Sequence, residues 1–144
     1  MKMQVLAVGK LKGAYRELCD EYAGRLGNAL AVREIPASTT EAEGTAIASA
    51  IPDGAWAVAL DERGEDLSSR ELAAKIAKWQ ESRAKGIVFV VGGAGGLSEK
   101  IKSRADFTLG LGRKTWPHRL ARVMLIEQIY RAIQITAGHP YHHE

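Results

Sequence analysis

The side chains best suited to chemistry lie in the last third of the chain. Residues 138–144 read GHPYHHE, which sets His139, His142 and His143 around Pro140 and Tyr141. Imidazoles exchange protons or bind metals near neutral pH, and a phenol ring can stack on an exposed nucleobase. Upstream, Glu127 and Arg131 stand four residues apart in a run of helical spacing. On a solvated face such a pair contributes only about 0.3–0.5 kcal/mol. Here its neighbours are apolar, which points to a partly buried pair at an interface or a site. A zinc site built from the tail histidines and His118 would lack the helix-based or cysteine-rich ligand spacing that zinc enzymes use, so no metal is expected. A frayed terminus is the default for any chain end, but seven residues this rich in ring side chains argue against it.

Two turns offer backbone rather than side chains. VVGGAGGLSEK (90–100) reads as strand, glycine turn and helix, and ligands of open α/β sheets bind at the carboxyl ends of strands. The spacing is neither a Walker A loop nor a dinucleotide fingerprint, because the sixth position counted from Gly93 is Ser98. The turn is therefore a ligand candidate of unspecified type, or simply a tight connection. LDERGEDLSS (60–69) ends another strand in charge. Asp61 and Glu62 are adjacent acids, which more often make a solvated turn than a metal site. LGLGRKT (109–115) adds two glycines, Arg113 and Lys114, just before Pro117, which suits the first turn of a helix.

The elements that must position these groups follow from periodicity. Short apolar runs predict strands at 3–8, 31–36, 55–61, 87–93 and 105–112. Helical spacing predicts helices at about 14–26, 38–51, 67–86, a short one from Ser98, and a long one over 117–136. In the first helix Leu18, Tyr22 and Leu26 form the apolar stripe. In the last, Leu125, Ile126, Ile129, Ala132 and Ile133 form the core face. Leu120, Val123, Met124, Glu127, Arg131 and Gln134 lie opposite, and Arg119 and Arg122 fit neither face. Strands alternate with helices from end to end, so one α/β domain over 1–144 with a mostly parallel sheet and flanking helices is expected.

The bulk numbers agree. The chain has 144 residues, 46% of them apolar and 26% charged, as in an ordinary globular domain. No apolar run reaches the roughly 18 residues of a membrane span, and the first residues lack the apolar core of a signal peptide. A single cysteine, Cys19, rules out an internal disulfide and suits a reducing, cytoplasmic setting. The net charge is +3, and residues 97–144 carry 8 basic against 4 acidic side chains. The last third thus has the sign to face an anion such as RNA.

Taken in order, MQVLAVGK, LDERG, VVGGAGGLS, TWPHRLARVMLIEQIYRA and HPYHHE resemble the ribosomal large-subunit methyltransferase H family of the SPOUT superfamily, over the whole chain. The resemblance implies a C-terminal trefoil knot, which nothing in the periodicity indicates. It implies a homodimer with its sites at the subunit interface. The implied reaction is methyl transfer from S-adenosylmethionine to N3 of a pseudouridine in 23S rRNA, on the assembled ribosome rather than on DNA. Carried over by position, the cofactor would meet Leu60, Gly92, Gly93, Gly112, Arg113, Lys114, Thr115, Trp116 and Pro117. The RNA side would use His118, Glu127, Arg131, His139, Tyr141, His142 and His143. Where the family usually ends in arginine or lysine before the final acid, this chain has His143, which is shorter and mostly neutral at pH 7. Two rivals stand beside this reading. One is a nonenzymatic ribosome- or RNA-binding protein of the same fold, separated by its lack of cofactor binding. The other is a metal-dependent hydrolase built on the tail histidines, separated by stoichiometric zinc.

Overall fold

A computed structural model of the chain describes residues 2–82 and 85–143. Five strands form one parallel sheet: β1 (Met3–Val8), β2 (Leu30–Ile35), β3 (Trp56–Asp66), β4 (Ile87–Val91) and β5 (Phe107–Gly110), in the spatial order β2-β1-β4-β3-β5. Five helices alternate with them: α1 (Gly13–Leu26), α2 (Thr40–Ala50), α3 (Ser69–Ser82), α4 (Glu99–Arg104) and α5 (His118–Thr136). β1 and β4 are buried along nearly their whole length, as the unbroken apolar runs require when both faces of a parallel sheet are covered. One face packs Met3, Val5, Phe89 and Leu109 against α1, α3 and α5. The other packs Leu6, Val8, Val88 and Val90 against Ile47 of α2 and Ile101 of α4.

The helix starts are written in the sequence. Thr39 accepts from the Ala42 N–H at 3.1 Å, and Ser98 from the Ile101 N–H at 3.4 Å. Ser68 and Glu71 exchange bonds in a capping box ahead of α3. The predicted end of the third helix, near Gly86, runs past residues 83–84, which lie outside the described residues.

Three expectations change. β3 runs on to Asp66 instead of stopping at 61. It pairs with β5 twice, Leu60 and Glu65 both opposing Leu109, so Asp61–Gly64 leaves the ladder as a bulge. Gly64 is required there, since a Cβ would lie 2.4 Å from the Leu109 carbonyl carbon. The stripe on α1 is also different. Cys19 and Leu26 are buried, whereas Leu18 is 42% exposed, because it faces a groove rather than the sheet. On α5, Val123 and Arg122 join the core face.

Arg122 is the largest departure from the helical pattern, a guanidinium that is 2% exposed. It donates to Glu34 Oε2 at 2.7 Å and to the carbonyls of Val8 and Gly9 at 2.9 and 2.8 Å. Glu34 also accepts from the Leu11 N–H at 2.9 Å. Burial pushes the Glu34 carboxyl up, but these two donors outweigh it and hold it below its ordinary value. Removing one partner of such a buried pair strands the other. Arg122→Met is therefore expected to cost about 3 kcal/mol in urea unfolding. Glu34→Gln keeps an acceptor but leaves the Arg122 guanidinium, 2% exposed, without its counter-charge, so it should cost about as much. Equal stabilities for Arg122→Met and the parent would show that this strap is not structural.

Candidate active site

Three segments meet at the carboxyl edge of the sheet. The bulge after Leu60 supplies Asp61, Glu62 and Arg63. The turn after β4 supplies Gly92–Leu97. The approach to α5 supplies Leu111 and Lys114–His118. Together they line a cleft of about 540 Å³. Gly92 must be glycine because a Cβ would lie 2.7 Å from backbone atoms of Gly96, the residue that closes the turn through its bond to the Gly93 carbonyl. The outer segments are tied together: Thr115 donates its hydroxyl to Glu62 at 2.5 Å, and the Trp116 indole donates to the Leu111 carbonyl at 2.7 Å. Lys102 of α4 stands 3.9 Å from Asp61.

Of the residues expected to face a cofactor, Leu60, Gly92, Gly93, Lys114, Thr115, Trp116 and Pro117 line this cleft. Gly112 and Arg113 do not. Gly112 instead turns the chain at φ +83° beside the apolar groove, and Arg113 is exposed. Asp61 and Glu62, which by sequence read as a solvated turn, line the cleft; the signal for this is their place directly after a strand whose mate, β4, ends in the glycine turn. Among the described residues, no group of three or more histidine, cysteine, aspartate or glutamate side chains is placed to hold a metal.

The tail folds back on α5. Glu127 takes a 2.6 Å bond from Arg131, a 2.7 Å bond from the Tyr141 hydroxyl and a 3.0 Å bond from Gln128. Arg131 also reaches His142 Nδ1 at 2.9 Å. Because guanidinium only donates, that nitrogen accepts and the ring proton sits on Nε2. The Arg131 guanidinium lies 4.9 Å from the centre of the Tyr141 ring, and Tyr130 meets the same ring edge-on at 4.8 Å. His139 accepts from the Tyr141 N–H at 3.2 Å. His143 is exposed.

Their charge states follow from these contacts. Burial pushes the Glu127 carboxyl up, yet the bonds from Arg131 and Tyr141 prevail and hold it below its ordinary value. Arg131 is held more firmly cationic by Glu127. The Tyr141 phenol is pushed well up by burial and by the Glu127 carboxylate. Glu127 is thus a saturated acceptor and a weak base, while Arg131 is a fixed positive charge. His118 stands apart at the start of α5, where it lines the cleft. Burial and then Arg119 and Arg122 hold it below its usual value, as a neutral imidazole at pH 7.

The comparisons fit this geometry. Residues 1–142 match the profile of a family described as "Predicted SPOUT methyltransferase". The chain is 45% identical to a protein of Rhodopseudomonas palustris and 46% identical to one of Rhodospirillum centenum, both called ribosomal RNA large subunit methyltransferase H. Each match covers 99% of both chains. The SpoU methyltransferase AviRb of Streptomyces viridochromogenes shares the fold with a TM-score of 0.51 at 14% identity, over 96% of this chain and 61% of that one.

The tail cluster makes its own pH prediction. Glu127 titrates below its ordinary 4.5 when folded. Its stabilisation is therefore complete above pH 4.5 and is lost as the pH falls through the lower folded value. Tyr141→Phe removes one of its donors, so acid release of the tail should begin at a higher pH. The exchange-protected Nε–H signal of Arg131 in NMR reports this. Coincident acid midpoints in parent and variant would show that Tyr141 does not hold Glu127.

Proposed function

The chain belongs to the SPOUT methyltransferase family, and on that premise we propose that it methylates large-subunit ribosomal RNA with S-adenosylmethionine as donor. We assign the acceptor as N3 of a pseudouridine in 23S rRNA, presented by the assembled ribosome. The observation that carries the reading is the pairing of a cleft walled by bare glycine backbone with a separate, pre-formed Glu127–Arg131–Tyr141–His142 cluster.

The residues present suit the cofactor. Its adenosine needs close backbone approach, which Gly92 and Gly93 allow, and a partly apolar wall from Leu60 and Pro117. Its sulfonium and ammonium charges suit the Glu62 carboxylate, while Asp61 already faces Lys102. When bound, S-adenosylmethionine supplies an electrophilic methyl group. The remaining work falls to side chains. An N3 imide is a weak acid and must lose its proton to become a nucleophile. Arg131 provides a fixed positive field for the resulting anion. Glu127 is held by its donors, so its part is to fix Arg131. His142 offers Nε2–H as a further donor. His118, neutral and facing the cleft, is assigned as the base that takes the N3 proton. Tyr141 is already fixed by Glu127 and Tyr130, so it serves the cluster's shape as much as any stacking.

Nine residues of helix, about 14 Å, separate His118 from Glu127. Methyl transfer needs reacting atoms about 3–3.5 Å apart. A homodimer resolves the gap if the tail of one protomer meets the cleft of its partner. The apolar groove lined by Leu18, Tyr22, Leu67, Met124 and Glu127, about 520 Å³ in volume, supports such a contact, since it leaves Leu18 42% exposed. In a two-fold dimer this surface meets its own copy. The knot of the SPOUT fold belongs to the same reading.

Three outcomes test the proposal. Label from S-adenosylmethionine should enter unmethylated ribosomes in preference to free 23S rRNA. Cofactor binding without label in either substrate would favour the nonenzymatic RNA-binding reading. Gly93→Val, whose side chain would press on Val8 and displace the glycine turn that walls the cleft, and Arg131→Ala should each abolish transfer. Co-expressed, they should recover about a quarter of parental activity through mixed dimers with one intact site. No recovery would rule out a shared site. The rate in the parent should fall on acidification through a value below 6.5, the ordinary value of His118. An acid limb that survives His118→Gln would remove His118 as the base.

A further inference from the structure

Behind the glycine turn lies a second cleft of about 480 Å³, which the proposed chemistry does not use. Gly93, Ala94, Gly95 and His118 line both clefts, so the turn is a thin partition between them. The far walls differ. The second cleft is bounded by the Gly9–Leu11 loop after β1, the 37–40 segment leading into α2, and Arg119 and Arg122 of α5.

Its charges sort into spent and unspent. Arg122 and Glu34 neutralise each other at 2.7 Å. Glu43 is 7% exposed and holds the Ser38 N–H at 2.8 Å, which fixes the entry to α2. Lys10 and Arg119 are exposed, and no hydrogen bond or ion pair to either side chain is found among the described residues. Ser38 and Thr40 add hydroxyl donors on the opposite wall, with Thr40 close enough to Gly95 that a Cβ there would come within 2.8 Å of its Oγ1. The cleft therefore presents two uncommitted cations and two hydroxyls against one carboxylate, Glu43, a net positive excess around a floor of bare backbone. That donor-rich set suits an anion with several acceptor oxygens.

From this we infer that the second cleft is a phosphodiester subsite, which grips the RNA backbone beside the acceptor nucleotide through Lys10 and Arg119. The inference rests on the proposed RNA substrate. It assigns a specific role to the partition: His118 faces the reacting base on one side while the backbone next to that base is held on the other. Phosphate contacts of this kind set register and orientation without reading sequence. Thr39 caps α2 through its hydroxyl oxygen, which accepts from the Ala42 N–H and leaves its O–H able to donate into the same cleft.

The test is the double variant Lys10→Ala, Arg119→Ala, with unmethylated ribosomes as the probe, binding measured directly between about 50 and 200 mM salt. Each lost contact to a single strand should reduce the slope of log affinity against log salt by about 0.7. Loss of both contacts should lower kcat/KM for ribosomes about tenfold, with S-adenosylmethionine affinity retained. Lys10→Arg should restore part of the slope. An unchanged salt slope with intact cofactor affinity would overturn the subsite. Because binding is read without turnover, failure of the parent to methylate ribosomes would count against the proposed reaction and not against the subsite. Parental ribosome binding with no salt dependence would sink both.

Discussion

Arg122 carries a full positive charge almost out of reach of water, and the placing of the candidate site depends on how that charge is met. Desolvating a guanidinium costs several kcal/mol unless its donors are matched. Glu34 and the Val8 and Gly9 carbonyls match it, leaving Nε without a partner among the described residues. These acceptors sit at the carboxyl ends of β1 and β2, so α5 can dock in only one register. That register fixes His118 beside the glycine turn, and hence where residues 112–117 cross the sheet edge. The same contact orders the Gly9–Leu11 loop, because Glu34 takes the Leu11 N–H as well.

The two ends of α5 are electrically distinct. Its start lies among loops that mix the acids Asp61 and Glu62 with Arg63, Lys102 and Lys114. Its end carries the Arg131 guanidinium, pinned from three sides by Glu127, His142 and the Tyr141 ring. A helix is a rigid spacer of about 1.5 Å per residue, so these ends cannot meet within one chain. This rigidity gives the physical case for a second copy.

Much of the site was legible as local pattern. The glycine turn, the Glu127–Arg131 spacing and the ring-rich tail each stand out by residue type, and local pattern marks the five strands and five α-helices, though not the 3-10 turn at Gly27–Ala29. What was not legible was long-range. Asp61 and Glu62 look like an ordinary charged turn until β3 is seen to bulge between two pairings with the same Leu109. Arg122 falls off the helical pattern because its partners lie 88 to 114 positions away. Leu18 fits an apolar stripe by spacing, yet on the folded chain it faces a groove.

The sequence alone determined the alternation of strands and helices, their caps, the basic bias of the last third and the family, because these rest on short-range periodicity and on ordered motifs. Tertiary structure alone decided which carboxylates are satisfied, which cations are left over, and that one glycine turn divides two clefts. Those properties depend on desolvation and on hydrogen-bond partners brought together across the sheet edge, and no spacing along the chain encodes them.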